Sequence, residues 1–122
     1  MADNDMKVIV KAKELAIHSF KLTSNNNRYP KKYRHSLVDR IQLKALDIYD
    51  TLLEANRINN ATFPAMRRET ISRAILYCDQ MLFYIELSMG LTDQSMESIQ
   101  YWSKMVTDVK YLSLAWRKKE TK

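Results

Sequence analysis

The sequence predicts an all-α protein, an antiparallel up-down-up-down four-helix bundle, and three observations carry that prediction. Four segments repeat apolar residues at three- and four-residue steps, the helical period. The chain holds one Gly and two Pro, which leaves a turn-rich β architecture almost nothing to turn with. The connections between periodic segments are short, so sequential helices must be neighbours in space. A length of 122 residues fits one domain, 1–122, large enough to bury a core without metal or disulfide staples.

The first helix is expected over about 5–24. Val8, Ala12, Leu15, Ala16, Ser19 and Leu22 share one face, and a second series, Val10, Ile17 and Phe20, widens the stripe enough for more than one neighbour. Asn25, Asn26 and Asn27 should end it, because asparagine favours turns over helix interiors. The second helix is expected over 36–58, with Ser36 and Asp39 at capping-box spacing. Val38, Ile41, Ala45, Ile48, Leu52 and Ala55 hold its inner face, broadened by Leu37, Leu46, Tyr49 and Leu53.

The third helix is expected over 63–89. Thr62 is placed to cap it, and Pro64 falls in the first turn, where a missing N–H costs nothing. Ile71, Ala74, Ile75, Cys78, Met81, Leu82, Ile85 and Met89 face inward, and Gly90 stands where a helix-closing glycine belongs. The fourth is expected over 93–118, capped by Thr92 or Asp93. Its apolar face runs through Met96, Ile99, Trp102, Met105, Val106, Val109, Leu112 and Trp116 to the basic tail RKKETK.

Catalytic chemistry finds little to work with. Cys78 lies in the apolar stretch AILYCDQMLFY, where a free thiol behaves as a small buried hydrophobe. The two histidines, His18 and His35, form neither a Glu-x-x-His pair nor a structural zinc pattern, and one glycine cannot build a phosphate-cradling loop. No catalytic residue, metal or cofactor is therefore expected, and the chain is not expected to be an enzyme. Met66, Met81, Met89, Met96 and Met105 are expected to fill the core. Tyr77, Phe83, Tyr84, Tyr101 and Tyr111 are too many to point inward together; Phe83 and Tyr84 flank Leu82, so at least one should face out. An outward ring serves either self-association and partner docking or only a wetted tyrosine hydroxyl. The apolar runs fall short of the roughly 18 residues of a spanning helix, and charge interrupts MADNDMKVIVKAKELAI too often for a secretion signal. A cytoplasmic chain with no membrane partner is expected.

A net charge of +6 and a pI near 9.5 direct attention to polyanionic partners, nucleic acid first. The charge concentrates in RYPKKYRHSLVDR, residues 28–40. Candidate phosphate contacts are Arg28, Lys31, Lys32, Arg34 and Arg40, with Lys44 one turn further on. Tyr29, Tyr33 and His35 interleave with them and offer rings for base stacking. Arg117, Lys118 and Lys119 form a second basic group, and Arg67, Arg68 and Arg73 a third. An antiparallel bundle would put the starts of helices two and four at one end and Lys119 near the other. Against this stands the plainer reading of a basic loop that serves solubility alone.

The string RYPKKYRHSLVDRIQLKALDIYDTLLEA resembles the motif of a small four-helix-bundle family that includes the accessory variability determinant of diversity-generating retroelements and the large-subunit rRNA intervening-sequence proteins. In that family an aromatic-Pro-basic segment, here Tyr29, Pro30 and Lys31, leads to Ser or Thr, Leu, Gly, an acid and Arg-Ile. Ser36, Leu37, Asp39, Arg40 and Ile41 match, as does the ending Leu52 to Ala55; Val38 stands where Gly is common. The resemblance implies a homopentamer of bundles with a positive surface that binds nucleic acid, RNA or DNA, and, in retroelements, a reverse transcriptase. A protein-interaction scaffold with no retroelement role, of the intervening-sequence type, is the alternative.

Overall fold

Four helices make up most of residues 3–120, which the computed structural model describes: α1 Asp3–Thr23, α2 Asp39–Arg57, α3 Pro64–Leu91 and α4 Met96–Glu120. Each packs on its sequence neighbours, and α1 closes the ring against α4. The sense is antiparallel throughout. Early in α2, the Lys44 ammonium sits 4.3 Å above the Tyr77 ring, while late in α2 Glu54 pairs with Arg73 nearer the start of α3. Among the described residues no helix is long and apolar enough to cross a membrane.

The core follows the 3.6-residue period. Val8, Leu15, Ile41, Ile48, Leu52, Ile71, Met81, Ile85, Trp102 and Val106 are buried, and Trp116 with them. Ser19 enters this core at no polar cost, because its hydroxyl donates to the Leu15 carbonyl at 2.8 Å and accepts from the Trp102 indole at 2.9 Å.

The helix ends depart from expectation. Winding begins at Lys31, ahead of the expected Ser36, with a 3-10 turn Lys31–Tyr33 and a π-helical turn Arg34–Val38 that lead into α2. The capping box therefore does not form. The amide that Ser36 would have served, that of Asp39, already donates to the Arg34 carbonyl, and the Asp39 carboxylate instead meets His35 Nδ1 at 3.1 Å. Pro64 occupies the first turn of α3 as expected, but Thr62 does not cap it. Asn59 Oδ1 accepts from the amides of Ala61 and Thr62 at 2.8 and 3.1 Å, so the turn is organised from Asn59.

Gly90 does not close α3 either. It lies inside the helix without a positive φ, and α3 runs on to Leu91. The Ser88 carbonyl there accepts from both the amide (2.9 Å) and the hydroxyl (2.6 Å) of Thr92, which leaves no need for a left-handed residue. Ser95, not Thr92 or Asp93, caps α4: its hydroxyl accepts from the Ser98 amide at 3.1 Å.

As the width of its stripe predicts, α1 meets two neighbours, α2 and α4; within the second apolar series Phe20 is half-buried, while Val10 and Ile17 are about half exposed. One expectation about faces changes. Of the five methionines only Met81 is fully in the core; Met105 is half-buried, and Met66, Met89 and Met96 are exposed. Phe83 does face outward, while Tyr84 is half-buried.

Candidate nucleic-acid interface

The basic connection between α1 and α2 is held at both of its ends, and that is what turns its cations outward. After α1, the amides of Arg28 and Tyr29 donate to the Asn25 carbonyl at 3.1 and 2.8 Å, and the Asn27 amide to Asn25 Oδ1 at 2.9 Å. The Tyr29 ring then enters the core, 2% exposed. Burial pushes its phenol above the ordinary range, opposed by the neighbouring Ser88 hydroxyl and the Arg28 charge. At the other end Leu37 and Val38 are buried. The Val38 side chain thus serves as an anchor.

Between these anchors Lys31, Lys32, Arg34, His35 and Ser36 are exposed, and Arg40 is exposed one turn into α2. Lys31, Arg34 and Arg40 have no ion-pair partner among the described residues, and Lys32 rests its ammonium 5.2 Å from the Tyr33 ring centre. The one acid in the segment, Asp39, is engaged by His35. Arg28 is partly tied down: it donates to Ser98 Oγ at 3.4 Å, and Gln94 donates to its carbonyl at 3.5 Å. These contacts place the start of α4 beside the basic segment, as an antiparallel bundle requires. Lys44 is half-buried over Tyr77 and presents less of its charge.

Arg117, Lys118 and Lys119 lie at the opposite end. Arg117 is half-buried and donates to Ser72 Oγ at 3.1 Å, whereas Lys118 and Lys119 are exposed. Thr121 and Lys122 of the basic tail lie outside the described residues. The third basic group dissolves into structural contacts. Arg67 is nearly buried, pairs with Glu120 at 3.2 Å, donates to the Ile58 carbonyl at 3.0 Å and stacks on Trp116 at 5.2 Å. Arg68 donates to the Glu120 carbonyl at 3.4 Å, and Arg73 pairs with Glu54 at 3.1 Å.

The stacking expectation also shrinks. Tyr29 is withdrawn into the core and Tyr33 is half-buried, which leaves His35 as the exposed ring of the segment. Tyr101 and Tyr111, on α4, are more than half exposed. What the sequence did not indicate is a cleft of about 180 Å³ beneath the basic segment. Thr23 and Asn26 line it from the end of α1, Lys31 and Arg34 from the winding, Asp39 and Gln42 from α2, with Tyr29 also contributing. The asparagine run signalled only a helix stop, and nothing in it announced a wall.

Cys78 is buried, and burial first, with the Asp79 charge second, pushes its thiol up to about 12. Among the described residues no group of three or more His, Cys, Asp or Glu side chains is placed to hold a metal ion. Compared with family models, curated proteins and solved structures, the chain finds no match.

Proposed function

We propose that the protein is a non-enzymatic nucleic-acid-binding accessory protein that contacts phosphates through Lys31, Lys32, Arg34 and Arg40, with Arg28 at the edge of the same surface. One observation carries the reading: the cations of residues 31–40 are exposed and outnumber their single acid, Asp39, which His35 already engages. A positive surface of that kind attracts a polyanion and releases its counterions. Lys44, Arg117, Lys118 and Lys119 are secondary contacts in this account.

The association with a reverse transcriptase of a diversity-generating retroelement, and assembly as a homopentamer, come from the resemblance of RYPKKYRHSLVDRI to that family. Assembly also has physical support. Val10 and Ile17 on α1, Leu43 and Leu46 on α2, and Leu76 and Phe83 on α3 are all at least 40% exposed, apolar area of the kind that interfaces use.

Fluorescence anisotropy with single- and double-stranded DNA and RNA at two salt concentrations tests the reading, on protein whose mass in solution is known. Salt-weakened binding is expected, and the triple variant Lys31→Ala, Lys32→Ala, Arg34→Ala should lower the salt slope by about three. Absence of binding at low salt would sink the nucleic-acid reading. The same exposed apolar residues then favour the second reading, an oligomeric protein-interaction scaffold, which a stable oligomer with no nucleic-acid affinity would support.

A further inference from the structure

We propose that the cleft beneath the basic segment is a seat for a terminal phosphate monoester, so that the protein prefers nucleic-acid strands with a phosphorylated end. The inference takes its ligand class from the nucleic-acid reading above, but the seat itself rests on the cleft. Lys31 and Arg34 both line it, and neither has an ion-pair partner among the described residues. The 3-10 turn Lys31–Tyr33 and the π turn that follows set these two residues three positions apart on one winding, which puts both on the same wall. π-helical turns are frequent at functional sites.

The remaining lining groups suit an anion better than a base. Asn26 adds an amide, and Gln42 and Thr23 are already joined to each other at 3.0 Å. The single opposing charge, Asp39, has one oxygen occupied by His35. At about 180 Å³ the space is small beside the roughly 300–1,000 Å³ of small-molecule pockets, a size that suits a phosphate group. Two unpaired cations match a terminal monoester, which carries between one and a half and two negative charges near neutral pH. An internal phosphodiester carries one. Lys supplies a point charge and Arg a planar fork, the pair of donors that a phosphate's oxygens accept most strongly.

The test compares one oligonucleotide sequence with a 5′-phosphate, a 3′-phosphate or hydroxyls at both ends, by anisotropy at fixed salt. In parallel, inorganic phosphate is titrated while the amide resonances of Asn26, Lys31 and Arg34 are followed by NMR. A phosphorylated end should bind about tenfold tighter than the hydroxyl form. Lys31→Ala with Arg34→Ala should weaken the hydroxyl form too but weaken the phosphorylated form more, so that the difference between them disappears, and Asp39→Asn should tighten phosphate binding by removing the opposing charge. Equal affinity for all three ends, with resonances unmoved by phosphate, overturns the seat and leaves the nucleic-acid reading standing. Resonances that move with phosphate when no oligonucleotide binds keep the seat and remove the polymer.

Discussion

The two ends of the bundle are both rich in cations, and they use them in opposite ways. At the end where α3 begins and α4 finishes, Arg67 lies between Trp116 and Glu120, and Arg68 and Arg117 spend donors on the Glu120 carbonyl and Ser72. Glu120 further accepts from the Trp116 indole at 2.9 Å. At the other end Tyr29, Leu37 and Val38 occupy the core, and the charges between them are left to solvent. A cation count along a sequence therefore measures potential, while the position of the nearest acid and aromatic decides whether that potential becomes surface or clasp.

The clasp is where the comparison breaks most severely. Arg67 and Glu120 are 12% and 10% exposed at the side chain, and removing one partner of a nearly buried pair costs about 3–5 kcal/mol. Arg67→Ala should accordingly lower the melting temperature by roughly 10 °C or more in calorimetry. It should leave the affinity of the folded protein for nucleic acid unchanged. A variant that melts normally but binds more weakly would show that Arg67, too, is part of the working surface.

Between the two ends the shared core gives a pH signature. The Cys78 thiol, raised to about 12 in the folded state from 9.0, stays protonated where the unfolded thiol ionises. The unfolded chain therefore gives up its proton first, and stability falls as pH rises from about 9 towards 12, by about 1.4 kcal/mol per pH unit. Denaturant midpoints measured over that range should flatten in Cys78→Ala relative to the native chain. Tyr29, also raised by burial, adds to the slope in the same direction above pH 10.

Changes at the open end should separate binding from stability. The triple variant at Lys31, Lys32 and Arg34 removes exposed charges, with only the Lys32–Tyr33 stacking to lose, so its unfolding free energy should stay within about 0.5 kcal/mol. Its affinity for nucleic acid should fall by far more. Loss of stability comparable to Arg67→Ala would mean that the basic segment is a second clasp.

How much of this was legible in the sequence depends on which physics decides each feature. The helices and their inner faces follow from periodicity, because burial of Val8, Ile41, Ile71 and Val106 is a local consequence of the 3.6-residue repeat. That at least one of Phe83 and Tyr84 turns outward is legible for the same reason, whereas the structure alone identifies it as Phe83. Caps are less so: Ser36 has the right spacing, but whether an amide needs a cap is settled by the turn before it, and here the Asp39 amide already donates to the Arg34 carbonyl. The basic segment is visible as a cluster, yet Arg67 and Arg73 look identical to Lys31 and Arg34 until the partners Glu120 and Glu54, distant in sequence, are brought beside them. Tyr29 could not be assigned to the core from RYP alone, because its direction is set by the Asn25 turn.

The smallest effect is expected at Gly90, near the open end, and its sign is informative. Gly90 sits in the last turn of α3 with a negative φ, and a Cβ built there meets no atom within 4 Å. Neither a left-handed backbone nor close packing requires glycine at this position. Gly90→Ala should then stabilise the fold by about 0.4–1 kcal/mol, by reducing the freedom of the unfolded chain and favouring the helical state. Chemical denaturation with an unchanged m-value would register this as a small rise in midpoint. A loss of stability instead would mean that a left-handed conformation at Gly90 does contribute to the α3–α4 turn. The Ser88–Thr92 bonds would then share the work of ending α3 with the glycine, and the helix start capped by Ser95 would be less independent of its neighbour than the hydrogen bonds describe.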